Sequence, residues 1–128
     1  MIRFIAAAAI GAAILISPAV HAQDSAPAKV AETAKGKALV DDKGMTLYVF
    51  DKDAPGKSSC TGPCLRNWPA FIAAADATPS GDWTIVIRDD GTRQWAYKNK
   101  PLYTWTKDAK PGDANGDGVG DAWRIAAP

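Results

Sequence analysis

A short motif occurs twice in this chain and constrains its fold more than any other feature. Residues 47–54 read LYVFDKDA and residues 102–109 read LYTWTKDA, so Tyr-x-(Phe/Trp)-x-x-Asp recurs 55 positions later. Trp68 and Trp123 have the same separation, which extends the likeness beyond the motif. One unit of this size buries little apolar surface alone, so we expect the two copies to fold together.

The repeated residues are predicted to be structural. Alternate residues of a strand point to the same face, so the Tyr and the Phe or Trp of each copy should enter one core. The Asp of each copy follows a predicted strand, where Asp side chains commonly accept backbone hydrogen bonds in turns. The residues assigned to this role are Tyr48, Phe50, Asp53, Trp68, Tyr103, Trp105, Asp108 and Trp123.

The first 22 residues have the pattern of a secretory signal peptide. Arg3 precedes an apolar run of roughly 13 residues, and small residues favour cleavage near Ala22. The run is too short to cross a bilayer, which takes ~20 residues. We therefore expect a mature protein without a transmembrane segment, in the periplasm or outside the cell.

The composition of the mature chain excludes several classes of function. The formal net charge of the whole chain is +1 at pH 7, so no basic surface for nucleic acid is evident. The single histidine is His21, inside the predicted signal peptide. Histidine general bases, His-dependent triads and His-ligated zinc or haem are therefore excluded, and we expect no enzymatic activity.

The pattern of strands and turns predicts an all-β domain with mostly antiparallel strands. Residues 23–37 show little to bury and are predicted to form a flexible arm. Residues 38–128 should form a single domain of two degenerate repeats, at about 44–71 and 99–126. Pro63 suits the first turn of a helix and Pro69 would end it, which predicts one short helical turn at 63–68.

The two cysteines, Cys60 and Cys64, admit two interpretations. In an oxidising compartment the default is a structural disulfide that pins the intervening turn. The alternative is thiol exchange or a soft-metal site for copper, with Met45 as a third ligand. Both interpretations place these residues among the candidate sites.

A loop near the C-terminus resembles the start of a calcium-binding loop. Oxygen-bearing side chains alternate at Asp113, Asn115, Asp117 and Asp121, with Gly118 at the bend. The twelfth position holds Arg124 where an EF-hand has a bidentate Glu, so a complete site needs another carboxylate. The alternative is an Asp/Gly-rich turn whose side chains bind backbone N–H groups.

A third candidate site lies on one predicted strand. Arg93, Trp95 and Tyr97 alternate along it and therefore share a face. Exposed aromatic side chains are typical of sugar-binding surfaces, so these residues are candidates for contact with an envelope glycan. The alternative for the five tryptophans of the chain is burial in a small core.

The motifs LYVFDKDAPGKSSCTGPCLRNWPAF and RDDGTRQWAYKNKPLYTWTKDAKPGDANGDGVGDAW resemble a bacterial family described as a secreted repeat of unknown function. Its members are called predicted lipoproteins with a Yx(F/W/Y)xxD motif, and the resemblance covers roughly residues 43–123. The family implies no activity, and this chain has no lipobox cysteine after its apolar stretch.

These observations together predict an exported, non-enzymatic protein of the cell envelope. Its role would be structural, or the binding of an unidentified envelope protein or glycan. The alternative is a periplasmic metal-binding or thiol-redox accessory protein. We expect no cofactor; calcium is the metal that the chain's ligands would fit better, and copper the second.

Overall fold

Short antiparallel strands make up most of the regular structure. A computed structural model describes residues 26–128, so the predicted signal peptide lies outside the described residues. In chain order the elements are β1 (Lys29–Thr33), β2 (Gly36–Val40), β3 (Tyr48–Phe50), α1 (Pro63–Asn67), β4 (Trp83–Ile87), β5 (Arg93–Tyr97), β6 (Lys100–Pro101), a 3₁₀ turn (Val119–Asp121) and β7 (Trp123–Ile125).

Three small sheets form from these strands, and all of their pairings are antiparallel. β1 pairs with β2, β3 with β7, and β5 lies between β4 and β6. The helix α1 is the short turn expected after Gly62, with Pro63 at its first position. The predicted all-β class, antiparallel pairing and single short helix are confirmed. In the part of the chain that the structure describes, no helix has the length and apolar character to span a membrane.

The prediction of a flexible arm at 23–37 is wrong for Lys29–Thr33, which form β1. Lys29–Thr33 pairs with Gly36–Val40 along the whole of both strands. The Thr33 hydroxyl closes the turn by donating to the carbonyl of Gly36 at 2.7 Å. Sequence pattern misses β1 because most of its side chains stay exposed, so the backbone ladder and the turn hold it with little apolar burial.

The backbone joins the two repeats around a local two-fold axis. Tyr48 and Tyr103, which occupy equivalent positions, exchange backbone hydrogen bonds of 2.8 and 3.0 Å. β3 of the first repeat pairs with β7 at the end of the second. The equivalent strand of the second repeat bonds to the end of the first, since Thr104 N–H donates to the carbonyl of Pro69 at 2.9 Å. Each repeat is therefore completed by the other.

Four aromatic rings form a continuous stack across this axis. Trp68 and Trp123 lie at its centre, with ring centroids 3.7 Å apart and parallel planes. Phe50 stacks on Trp123 at 4.2 Å and Trp105 stacks on Trp68 at 4.0 Å, so equivalent residues occupy the two ends. Such pairs stabilise by about 0.5–1.5 kcal/mol each beyond their buried area. The stack makes the repeated aromatics one core.

The motif tyrosines and aspartates bond across the repeats. The Tyr48 hydroxyl donates to Asp108 Oδ2 at 2.6 Å, and the Tyr103 hydroxyl donates to Asp53 Oδ2 at 2.7 Å. The second oxygen of each carboxylate accepts a backbone N–H of its own repeat, as expected of Asp in a turn: Asn115 for Asp108 and Ser59 for Asp53. Each aspartate thus ties the loop of one repeat to the strand of the other.

A glycine is required where the second repeat crosses this core. Gly116 N–H donates to the Tyr48 hydroxyl at 3.1 Å. A Cβ atom at Gly116 would lie 2.7 Å from the Trp68 ring and 2.9 Å from the Tyr48 ring, closer than atoms can approach without a shift. The loop reaches Tyr48 only because this position has no side chain.

A second apolar cluster packs between β2 and β5 on the other side of the molecule. Its buried members are Leu39, Leu47, Ala73, Trp95, Leu102 and Ala126. Leu47 and Leu102 immediately precede the motif tyrosines, so strand alternation sends them to the opposite face. The motif strands therefore supply side chains to both clusters and hold the three sheets together.

The crossed bonds predict a specific pattern of coupling. Tyr48→Phe and Asp108→Asn should each lower the free energy of unfolding by about 1–3 kcal/mol, because each leaves a buried polar partner unsatisfied. The double variant Tyr48→Phe with Asp108→Asn should lose less free energy of unfolding than the two single variants lose together. The losses from Tyr48→Phe and Asp53→Asn, which do not bond to each other, should instead be additive. Urea unfolding measures these terms, with exposed Asp42→Asn as the control. Additivity for Tyr48 with Asp108 would contradict the assignment.

The buried phenols also predict a loss of stability at alkaline pH. Burial, and then the neighbouring Asp108 or Asp53, raises the pKa of Tyr48 and of Tyr103 well above the usual value. Above about pH 10 the unfolded chain loses these protons while the folded protein keeps them, so the free energy of unfolding should fall. Each tyrosine contributes a slope of roughly 1.4 kcal/mol per pH unit.

Urea titrations between about pH 9 and 11 measure this slope directly. Tyr48→Phe should reduce it by one tyrosine's share, because phenylalanine binds no proton in either state. Equal slopes for the variant and the original protein would show that Tyr48 ionises normally in the folded state.

Candidate binding site

A groove opens between the loop that follows the first motif and the turn that joins β5 to β6. Its volume is about 440 Å³, within the range of sites that bind small molecules. One wall comes from residues 49–55 and the other from residues 98–101. The apolar part of its lining includes Val49, Phe50, Pro55 and Pro101. Phe50 is also one end of the aromatic stack, so the groove abuts the rigid core.

The turn at 98–101 places lysines at this groove in a constrained conformation. Tyr97 pairs with Lys100, and the two residues between them have positive φ values of 51° for Lys98 and 68° for Asn99. Asn tolerates the left-handed region, whereas a residue such as Lys is disfavoured there by roughly 1–2 kcal/mol. The turn is tied to the opposite wall by the Gly56 N–H, which donates to the Asn99 carbonyl at 2.8 Å.

The charges around the groove are unevenly compensated. Asp51 forms an ion pair of 3.2 Å with Arg124, and Asp53 accepts hydrogen bonds from Tyr103 and Ser59. No ion pair involves Lys98 or Lys100 among residues 26–128, and both are exposed. Lys98 Nζ lies over the Tyr97 ring, 5.2 Å from its centroid. The groove thus presents two cations without a carboxylate partner in this part of the chain, while its own carboxylates are already engaged by the protein.

The equivalent face of the second repeat is closed. Gly44 is the counterpart of Asn99 and also has a positive φ of 84°. Pro111 packs against it, since a Cβ atom at Gly44 would lie 3.1 Å from Pro111 Cβ. The counterpart of Pro111 in the first repeat is Gly56, where a Cβ atom would meet nothing within 4 Å. The symmetry of the core therefore does not extend to this surface.

A second, smaller pocket of about 180 Å³ lies beside the buried Arg88. Lys57, Ser58, Thr61 and Asp89 are among the residues that line it. Arg88 is 8% exposed and continues the alternation of β4 just beyond the last residue of that strand. The loop at 54–61 contributes lining residues to both this pocket and the groove.

A chain of hydrogen bonds joins the pocket to the groove. Arg88 Nη1 donates to Ser58 Oγ at 2.8 Å, Ser58 Oγ lies 2.6 Å from the Tyr103 hydroxyl, and Tyr103 donates to Asp53. Burial raises the pKa of Asp53, and the hydrogen bonds from Ser59 and Tyr103 and the charge of Arg88 oppose that effect. Asp53 is thus the final acceptor of a chain that begins at a buried cation.

The two cysteines form the expected disulfide. Cys60 and Cys64 are bonded to each other at the start of α1, and Cys60 is fully buried. The carbonyl of Cys60 accepts a hydrogen bond of 2.6 Å from Arg88 Nη2. With its sulfurs bonded, this pair offers no thiolate ligand in this state. The copper or thiol-exchange role, with Met45 as a further ligand, stays a prediction.

The side chains of the predicted calcium loop are engaged separately. Asp113 pairs with Lys110 at 2.8 Å, which lowers the pKa of that carboxyl, and Asp117 accepts the Ile125 N–H at 3.0 Å. The Asp121 side chain is 98% exposed. Within residues 26–128 no group of three or more His, Cys, Asp or Glu side chains is arranged to hold a metal ion. Calcium binding by Asp113, Asn115, Asp117 and Asp121 stays a prediction.

The prediction that Trp95 belongs to an exposed surface on β5 is wrong, whereas Arg93 and Tyr97 are partly exposed and their part in binding stays a prediction. Trp95 is 7% exposed and belongs to the apolar cluster, while Tyr97 packs against Trp83 with centroids 4.9 Å apart. The Arg93 guanidinium donates to three backbone carbonyls in residues 74–77, at 2.6–2.9 Å. Strand alternation identifies residues that share a face but not which face meets solvent. Through its three hydrogen bonds, Arg93 holds the loop at 74–77 in place.

Sequence reasoning missed the charged residues of both the groove and the pocket. Lys98 and Lys100 flank the Asn99 position, where the breaker sequence Asn-Lys-Pro marks a turn but not its left-handed backbone. Arg88 follows an apolar strand, and nothing local signals that its guanidinium is buried. The pairing of distant loops creates both sites.

Comparison with known proteins identifies the family of this chain. The family model described as a secreted repeat of unknown function matches residues 29–71 and 84–127, which is more than half of the chain. The matched repeats begin earlier than the predicted 44 and 99, so they include the β1–β2 and β4–β5 hairpins. Neither the curated proteins nor the solved structures give a significant match. The chain therefore belongs to the family described as a secreted repeat of unknown function, and carries two copies of that repeat.

Proposed function

We propose that this protein is an exported, non-enzymatic module of the cell envelope that binds a ligand or partner through the groove beside the loop that follows its first motif. The observation that carries the proposal is the difference between the two repeats. Pro111 packs near Gly44 beside the second motif, whereas the equivalent place beside the first motif is an open groove of about 440 Å³. Lys98 and Lys100 line this groove and form no ion pair within residues 26–128. The partner would be an envelope glycan or protein with acidic groups.

The location of the protein supports this role. The N-terminal pattern predicts export, with cleavage near Ala22, and a disulfide between Cys60 and Cys64 suits an oxidising compartment. The family is described as secreted. The periplasm or the cell exterior is therefore the compartment in which we place the mature protein.

The chemistry of the repeat motif supports binding over catalysis. The best acid–base candidates are Tyr48, Tyr103, Asp53 and Asp108, and their hydrogen bonds hold the two repeats together. The pKa of each tyrosine is raised by burial, so neither phenol acts as a base near neutral pH. The mature chain also lacks histidine. We therefore assign these four side chains to stabilising the fold.

Soluble cell-wall glycan fragments with acidic peptide stems provide a direct test. Phe50 lines the groove and stacks on Trp123, so occupancy should change tryptophan fluorescence in a saturable way. Lys98→Glu with Lys100→Glu should weaken binding at least about tenfold, because it replaces attraction by repulsion. Lys35→Glu with Lys37→Glu, at exposed positions outside the groove, is the matched control and should bind normally.

A partner protein is tested in the same format with a soluble envelope protein fraction. If neither the glycan fragments nor that fraction gives a saturable change that depends on Lys98 and Lys100, the proposed binding role of the groove is wrong.

A further inference from the structure

The most unusual charged group outside the groove is the buried guanidinium of Arg88. Arg88 is only 8% exposed, yet no carboxylate lies within ion-pairing distance of its guanidinium in the described part of the chain. Burying a charge is costly unless an opposite charge or a full set of hydrogen bonds compensates it. This arginine therefore needs an explanation that the packing alone does not give.

The protein satisfies only part of the hydrogen-bonding capacity of Arg88. Nη1 donates to Ser58 Oγ at 2.8 Å and to Gln94 Oε1 at 2.7 Å, and Nη2 donates to the Cys60 carbonyl at 2.6 Å. A guanidinium has five N–H groups, so two of them meet no protein acceptor within residues 26–128. All three acceptors are neutral, which leaves the charge without a direct counterion.

Compensation by the protein's own carboxylates acts at a distance: the charge of Arg88 acts to lower the pKa of both Asp53 and Asp90, but neither forms an ion pair with it among residues 26–128. Asp53 receives the hydrogen-bond chain from Arg88 only through Ser58 and Tyr103. Its carboxylate already accepts bonds from Tyr103 and Ser59, so it is held away from the guanidinium. The arrangement fixes the orientation of Arg88 without neutralising it.

The pocket beside Arg88 has the size and lining for an anion. Its volume is about 180 Å³, which accommodates a small polar group but not a drug-sized ligand. Lys57 supplies a second cation and Thr61 a hydroxyl at exposed positions of the lining, while Asp89 is the only carboxylate among the lining residues. Guanidinium groups bind phosphate and carboxylate through two parallel N–H bonds.

We propose that this pocket binds a small oxyanion, a phosphate or carboxylate group, with Arg88 as the principal donor and Lys57 and Thr61 as further contacts. The oxyanion supplies the counterion that the fold does not. The site shares no lining residue with the groove, although the loop at 54–61 contributes to both. Its ligand is either a free anion or the anionic group of a larger envelope molecule.

Titration with inorganic phosphate, at constant ionic strength set by chloride, tests the proposal. In ¹⁵N NMR spectra, the Arg88 Nε–H and the backbone amides of Ser58 and Thr61 should shift saturably, with a Kd on the order of millimolar or tighter. Phosphate at about ten times the Kd should also raise the Tm by several degrees. A parallel titration with acetate distinguishes a carboxylate from a phosphate ligand, and saturation by either supports the site.

Variants separate this site from the groove and from general salt effects. Arg88→Lys removes the planar fork and should weaken binding at least about tenfold. Because Arg88 is buried, Lys57→Gln with Thr61→Val provides a second test at exposed positions, where folding is retained and binding is weakened. Lys98→Gln with Lys100→Gln should leave the Kd unchanged.

Non-saturating shifts, or shifts equal in the Lys57 and Thr61 double variant, would overturn the proposal. Loss of binding in the Lys98 and Lys100 double variant alone would overturn the placement at Arg88. Because the groove is tested with different ligands and variants, this site can fail while the proposed function stands, and the reverse also holds.

Discussion

The parallel stack of Trp68 on Trp123 is the interaction on which the rest of the structure depends. The two indoles come from equivalent positions of the two repeats and meet at 3.7 Å. Phe50 and Trp105 extend the stack symmetrically. Because every stacked pair joins a ring of one repeat to a ring of the other, half of the chain has no complete aromatic stack. The crossed bonds from Tyr48 and Tyr103 then fix the register of this contact.

The symmetry of the core explains why the departures from symmetry carry the functional interest. The strands, the stack and the crossed tyrosine–aspartate bonds occur in matched pairs, so the fold requires them twice. The loops that follow each motif differ. After the second motif, Pro111 packs against Gly44 and Gly116 enters the core, whereas after the first motif Gly56 leaves a groove and the same loop borders the pocket beside Arg88. Both candidate sites therefore flank the loop that follows the first motif.

The sequence predicts those features whose physical cause is local. Strand alternation and turn residues were enough for the all-β class, and the spacing of Cys60 and Cys64 in an exported chain was enough for the disulfide. Pro63 was enough for the start of the only α-helix among residues 26–128. Each of these depends on a few neighbouring residues, which is the range over which sequence patterns are informative.

The features that the sequence does not predict depend on contacts between distant segments. Nothing in either motif reveals that Asp108 bonds to Tyr48 of the other copy, since the two lie 60 positions apart. β1 is held by backbone pairing with little burial, so its apolar pattern is weak. The burial of Trp95 and of Arg88 depends on which face of a strand another loop covers. Tertiary packing decides all of these.

Native-state hydrogen exchange tests most directly the claim that each repeat completes the other. The informative amides are those of Tyr48 and Tyr103, which bond to each other, and those of Ala126 and Phe71, which bond to Leu47 and Leu102 of the opposite repeats. If the account is correct, all four exchange with one free energy, equal to that of global unfolding. Faster exchange of Tyr48 and Phe71 with Tyr103 and Ala126 still protected, or the reverse, would show that one repeat opens alone and would contradict it.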